Sequence, residues 1–398
     1  MTLNPGIFTW ARNTAGLSAD EAAHALGFNN TNDRSAAERL RALEAGDEEP
    51  SRSVLVRMAK AYRRSLLVFY LAEPPRTGDR GQDFRTVLGA PPPLYNPALD
   101  ALIRDVRGRQ TIVQNLLEET EPQPVDFVGT ASMNDPTDDL ARRIVERLQF
   151  SLADFRRQAR VEDAFNYLRE KVEAAGVFVL LIGNLGSHHT NIPIDIFRGF
   201  AIADPIAPFI VINDQDARPA WAFTALHEVA HLWLGTTGIS GTSIEARIER
   251  YCNDVAGEVL LPTADIRTLA HLRRAPFDNI VETISTSARA WKISRAMVAY
   301  KLLRVDAIAE VTWRQLTDRF RQEWIASRAR QEEADSSDSG GPSYYVVKRH
   351  RLGNALLDLA RRSLGEGVLT HTKAAQILGV KPRNVDPLLY GNPARSRR

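Results

Sequence analysis

The run Phe223-Thr224-Ala225-Leu226-His227-Glu228-Val229-Ala230-His231-Leu232-Trp233 constrains the fold more than any other part of the chain. Phe223, Leu226, Val229, Ala230 and Trp233 make a helix from about Arg218 to Leu234 largely buried. A helix apolar over so much of its surface belongs in a core. His227 and His231 stand four apart, so both imidazoles face the same way and reach one ion. Glu228 is displaced around the helix, where it can act as a general base. Two buried histidines are hard to satisfy without a cation. An open zinc site takes three protein ligands and keeps a fourth position free. Zinc in such a site lowers the pKa of water to about 7.

The third ligand should be another His or a carboxylate. His271 lies in a different helical segment, and His350 and His371 lie beyond a linker. A second helix, from about Ile244 to Leu261, offers Glu245, Glu249 and Glu258. Glu258 precedes Val259-Leu260-Leu261-Pro262 in an apolar last turn, where a carboxylate needs a partner to offset its desolvation. Glu245 and Glu249 sit among Arg247 and Arg250 and read as a solvated face. At about 100° per residue, positions 249 and 258 point to opposite sides, so only one can face the histidines. On these grounds His227, His231 and Glu258 form the expected zinc-binding set, with Glu228 catalytic.

A chain of 398 residues suggests two or three domains. Its net charge of +2 confines any nucleic-acid surface to a local patch. The single cysteine, Cys252, excludes an intramolecular disulfide and the Cys-rich zinc motifs. The N-terminus shows no secretory pattern and no stretch has the length of a membrane span. A cytoplasmic protein without membrane contact is expected.

Residues 1–72 read as short helices, with a capping box at Ser18 and Glu21. Residues 73–135 read as a Pro- and Gly-rich linker and a long helix, Pro97–Glu119. Residues 136–262 read as a mixed unit with strand-like runs at Val177–Ile182, Arg198–Ile202 and Phe209–Ile212. Residues 263–330 read as a helical extension packing on that core, 331–343 as a flexible linker and 344–398 as a basic helical tail. The expected class is α+β: a zincin-like core of small sheet, HExxH helix and Glu helix, flanked by all-helical N- and C-terminal domains.

The run Phe223–Leu232 resembles the core motif of the ImmA/IrrE metallopeptidases. Glu249-Arg250-Tyr251-Cys252-Asn253-Asp254-Val255-Ala256-Gly257-Glu258-Val259-Leu260-Leu261-Pro262 resembles that family's second signature. Cys252 replaces the usual Ala there, and Leu261 the usual Met. The likeness extends to the strand Phe209–Asn213 and Arg218, and covers about 136–262. It implies that Glu258, as the Glu of the closing Ala-Glu-Leu-Leu-Met-Pro pattern, is the metal ligand. It also implies regulatory proteolysis: cleavage of a helix-turn-helix repressor that derepresses genes, as in stress responses.

Gly16-Leu17-Ser18, Glu21-Ala22-Ala23 and Leu26-Gly27, with Leu43-Glu44-Ala45-Gly46, resemble an Xre/Cro-type helix-turn-helix. Arg34, Arg39 and Arg41 are its candidate contacts to double-stranded DNA. Glu38, Asp47, Glu48 and Glu49 weaken that face, and protein docking is the competing reading. In the tail, Thr372–Val380 reads as the start of a second helix-turn-helix. Residues 342–398 hold eleven Lys and Arg against Asp358, Glu366 and Asp386. His188 and His189 read as an exposed loop pair. The whole chain thus reads as a zinc endopeptidase acting on a partner protein. The rival reading is a DNA-binding regulator or antitoxin-like protein whose metal domain senses or docks without proteolysis.

Overall fold

The computed structural model describes residues 3–31, 33–75, 96–120, 123–187, 190–235, 242–337 and 343–391. The linker segment 76–95, His188 and His189, and Arg395, Arg397 and Arg398 fall outside the described residues. The chain divides into two compact units. One holds 1–80, 91–105 and 184–190; the other holds 81–90, 106–183 and 191–398.

The first unit is built from α1 (Pro5–Thr14), α2 (Ala19–Ala25), α3 (Ala36–Ala45) and α4 (Arg52–Ala61), followed by a 3-10 turn, Leu66–Tyr70. Ser18 with Glu21 and Ser35 with Glu38 form reciprocal capping boxes that satisfy the first amides of α2 and α3. Ile7, Phe8, Leu26, Leu40, Leu55, Met58, Tyr62 and Phe69 make its core. The Arg12 guanidinium donates to both carboxylate oxygens of Glu44, at 2.7 and 3.0 Å, tying α1 to α3.

Helix α5 (Pro97–Thr120) leads into α6 (Thr137–Leu148), α7 (Leu152–Arg157) and α8 (Val161–Ala174). Three strands follow: β1 (Phe178–Leu181), β2 (Gly199–Ile202) and β3 (Phe209–Ile212), in the order β1-β3-β2. β1 runs parallel to β3, and β2 antiparallel, with Gly199 opposite Ile212. All three strands are wholly buried, as their unbroken apolar runs require of strands covered on both faces. The cover comes from α8 and from α9 (Arg218–Leu234), and on β1 also from helices late in the chain.

Helix α10 (Thr242–Leu260) packs against α9 and α6. α11 (Thr263–Arg267), α12 (Phe277–Trp291), α13 (Arg295–Arg304) and α14 (Glu310–Ser337) then extend the same core. α14 carries through Ser337, into the segment expected to be a flexible linker; 338–342 fall outside the described residues. α15 (Tyr344–Leu352), α16 (Asn354–Gly365), α17 (His371–Leu378) and α18 (Val385–Tyr390) form the basic tail, which packs on β1 and α8. The result is mostly helical with a small mixed sheet. Among the described residues, no helix is long and apolar enough to cross a membrane.

Candidate metal and active site

Helix α9 starts with Pro219 in its first turn, where the missing N–H costs nothing, and ends at Gly235. Its last carbonyls are taken up by neighbouring chain: the Gly129 N–H donates to Leu232 O at 3.0 Å and the Ala131 N–H to Trp233 O at 2.9 Å. Every residue from Ala220 to Trp233 is buried. His227 and His231 are 0 % and 1 % exposed, and their Nε2 atoms stand 3.0 Å apart.

Packing of α10 on α9 brings Glu249 to this pair. Its Oε2 lies 3.3 Å from His227 Nε2 and its Oε1 3.4 Å from His231 Nε2. Two donors each about 2.1 Å from a tetrahedral ion stand about 3.4 Å apart. The separations, each histidine to a different oxygen of the carboxylate, are close to that spacing, one ligand atom from each of the three residues lies within 4.8 Å of the others, and two imidazoles with one carboxylate are a donor set that suits zinc. Burial pushes the Glu249 carboxyl up, but the two imidazoles outweigh it and hold the group well below the usual carboxylate range. Its side chain remains 30 % exposed, so the cluster meets solvent on the Glu249 side. Among the described residues, no other group of three His, Cys, Asp or Glu converges in this way.

Glu258, the expected third ligand, does not join the cluster. Its Oε2 accepts from Lys301 Nζ at 2.7 Å and from the Thr263 hydroxyl at 2.8 Å, and its Oε1 from the Thr263 N–H at 2.9 Å. A carboxylate in this apolar turn does need a partner, and the partner is a lysine from α13. The half-turn between 249 and 258 then turns Glu249 toward the histidines, while Arg247 and Arg250 beside it are exposed. Glu245 lies outside the described side chains. Of the other histidines, His271 is exposed and His371 sits 3.0 Å from Asp386, on the tail.

Glu228 is 1 % exposed beside the pair. Gly199, the first residue of edge strand β2, makes room for it. A Cβ on Gly199 would stand 2.8 Å from Glu228 Oε1, 2.6 Å from Thr224 Cγ2 and 3.1 Å from Val211 O. Asn213 at the end of β3 fixes the approach to that strand, donating from Nδ2 to Ile192 O and Phe197 O, both at 3.0 Å. Sequence reasoning missed Gly199, although a lone glycine in a strand-like run signals a close approach. It also missed Asn253, one turn beyond Glu249 and therefore on the same side of α10. Asn253 is buried, and its Oδ1 has no hydrogen-bond partner, which fits a polar occupant at the site.

The three arginines expected to reach DNA are differently placed. Arg34 is paired with Glu48 at 2.6 Å, and the Arg39 guanidinium lies over the Phe28 ring at 5.0 Å. Arg41 is exposed.

Residues 186–303 match the peptidase family described as the IrrE N-terminal-like domain. The match takes in β2, β3 and α9–α12 with most of α13, and so includes both helices of the cluster. It begins later and ends later than the stretch whose motifs suggested the likeness. No curated protein and no solved structure matches the chain.

Proposed function

We propose that this chain is a zinc-dependent endopeptidase, with the metal held by His227, His231 and Glu249. The observation that carries the reading is the convergence of one ligand atom from each of those three side chains to within 4.8 Å of the others, beside a buried Glu228, within a segment similar to a peptidase family. His227, His231 and Glu249 would hold the zinc, which would supply Lewis acidity toward water and a peptide carbonyl. Glu228 accepts the proton from the attacking water and returns it to the departing amine nitrogen. Burial keeps this carboxylate in a dry environment, and the absence of a side chain at Gly199 leaves the space its Oε1 borders. Solvent contact on the Glu249 side leaves a way in for a peptide. The partner is a protein of regulatory kind, such as a helix-turn-helix repressor; the support is the likeness of the motifs to the ImmA/IrrE family.

Glu228→Gln keeps the shape of the side chain and loses the base. Metal content by elemental analysis should stay at about one zinc per chain. Cleavage of a peptide library, followed by mass spectrometry, should fall by about 10²–10⁴ or more. Undiminished cleavage by the variant contradicts the mechanism. Zinc-loaded wild type that cleaves nothing favours a sensing or docking role instead.

A further inference from the structure

The basic tail plays no part in the cluster, yet it belongs to the same compact unit. Its mounting is specific. Arg169, buried in α8, donates to the carbonyls of Val179 in β1 and of His350 and Arg351 in α15. Glu173, one turn on, accepts the N–H groups of Asn354 and Ala355 at 3.0 and 3.2 Å. Arg351 pairs with Asp214 at 2.6 Å.

Within the tail, α17 ends at Gly379, and after a short turn the chain resumes as a 3-10 turn, Pro382–Asn384, running into α18. Ala374, Ala375, Ile377 and Leu378 from the first piece and Val385, Leu388 and Leu389 from the second are buried. The two pieces pack on each other, and α17 also packs on α16. Two helical pieces joined by a glycine-containing turn of a few residues are the arrangement that presents its second member to a DNA groove.

The charge on the outer side agrees. Lys381 and Arg383 are exposed at the turn, as are Lys373 in the first turn of α17 and Arg362 on α16. None of these four meets a carboxylate among the described residues. Of the acidic groups nearby, Asp358 is paired with Arg361 at 2.5 Å, Asp386 lies 3.0 Å from His371 Nε2, and Glu366 is exposed. In the first unit the comparable Arg34 is spent on Glu48 and Arg39 on Phe28. Exposed cations with no carboxylate contact among the described residues therefore stand beside the helix-turn-helix geometry of the tail, while in the first unit Arg41 remains exposed as well.

We propose that α17 and the segment Pro382–Tyr390 form a contact for double-stranded DNA, with Lys373, Lys381 and Arg383 on phosphates. The occupant is a duplex because fixed phosphate rows match cations held on a packed pair of short helices. The inference is independent of whether the chain cleaves peptides.

The test is fluorescence anisotropy of a labelled random-sequence duplex with the full chain, from about 50 mM to about 200 mM salt. The variants are Lys381→Glu combined with Arg383→Glu, and separately Arg41→Glu in the first unit. The double variant should bind at least about tenfold more weakly at the lower salt, and its log–log salt slope should be shallower by about 2. Arg41→Glu should bind as wild type, and the double variant should keep wild-type zinc content and circular dichroism. Wild-type binding by the double variant, loss confined to Arg41→Glu, or no duplex binding at low salt would each overturn the proposal. So would binding of poly-glutamate as tight as that of the duplex, which would assign the face to an acidic protein.

Discussion

At Gly199 the absence of a side chain leaves room for the Glu228 carboxylate. The space a Cβ would take is bounded by Glu228 Oε1, Thr224 Cγ2 and the Val211 carbonyl. Two of these belong to α9 and the third to the neighbouring strand, so the carboxylate is what yields. Gly199→Ala should therefore displace Glu228 while leaving His227, His231 and Glu249 in place. Misplacement of a reacting group by about 1 Å costs about 10²-fold in rate. The expected outcome is a fall in kcat of about ten- to a hundredfold, with zinc content unchanged and KM little altered. Loss of zinc in that variant, or wild-type kcat, would show that Gly199 serves only the sheet.

At the scale of elements, α10 carries two carboxylates with opposite tasks. Glu249 faces the histidines of α9, and Glu258 holds α10 to α13 through Lys301. Burial raises the Glu258 carboxyl, but hydrogen bonds from Lys301 and from the Thr263 N–H and hydroxyl outweigh it and leave the group below the ordinary range. A carboxyl depressed on folding contributes stability that is present above its unfolded pKa of about 4.3 and lost as pH falls through the folded value. Glu258→Gln should thus be less stable at pH 7 by about 3 kcal/mol, because it leaves Lys301 buried without its counter-charge. The deficit should shrink in urea unfolding below about pH 4, where wild type loses the same interaction; a pH-independent deficit would contradict this account. The same helix shows what a sequence can and cannot reveal. The three strands and α9 were legible because their apolar runs and flanking Pro and Gly are local signals. The half-turn relation of 249 to 258 was legible too. Which of the two faces α9 was not, because Lys301 lies far along the chain and local neighbours such as Val255 and Val259 report burial without naming the partner. The extension of α14 through Ser337 was hidden similarly, because Gln331-Glu332-Glu333-Ala334 suits a solvated helix as well as a linker.

At the scale of the molecule, the four C-terminal helices share a unit with the cluster through one crowded seam. Gly353 lies there at φ +80°, and a Cβ on it would fall 2.0 Å from Glu173 Oε1 and 2.9 Å from Val179 O. Gly353→Ala adds to that clash the strain of a positive-φ, extended backbone that is essentially glycine-only, about 1–3 kcal/mol. Hydrogen exchange should then rise across α15–α18, while α9 and α10 keep their protection and the chain keeps its zinc. Unchanged exchange in the tail would show that the seam does not hold it. Whether Glu249 completes the metal site is decided by competitive chelator titration of zinc-loaded wild type, Glu249→Gln and Glu258→Gln. Glu249→Gln should bind zinc at least about a hundredfold more weakly, beyond what loss of a merely supporting residue costs, and Glu258→Gln should bind as wild type. Wild-type affinity in Glu249→Gln, with the loss in Glu258→Gln instead, would contradict the account.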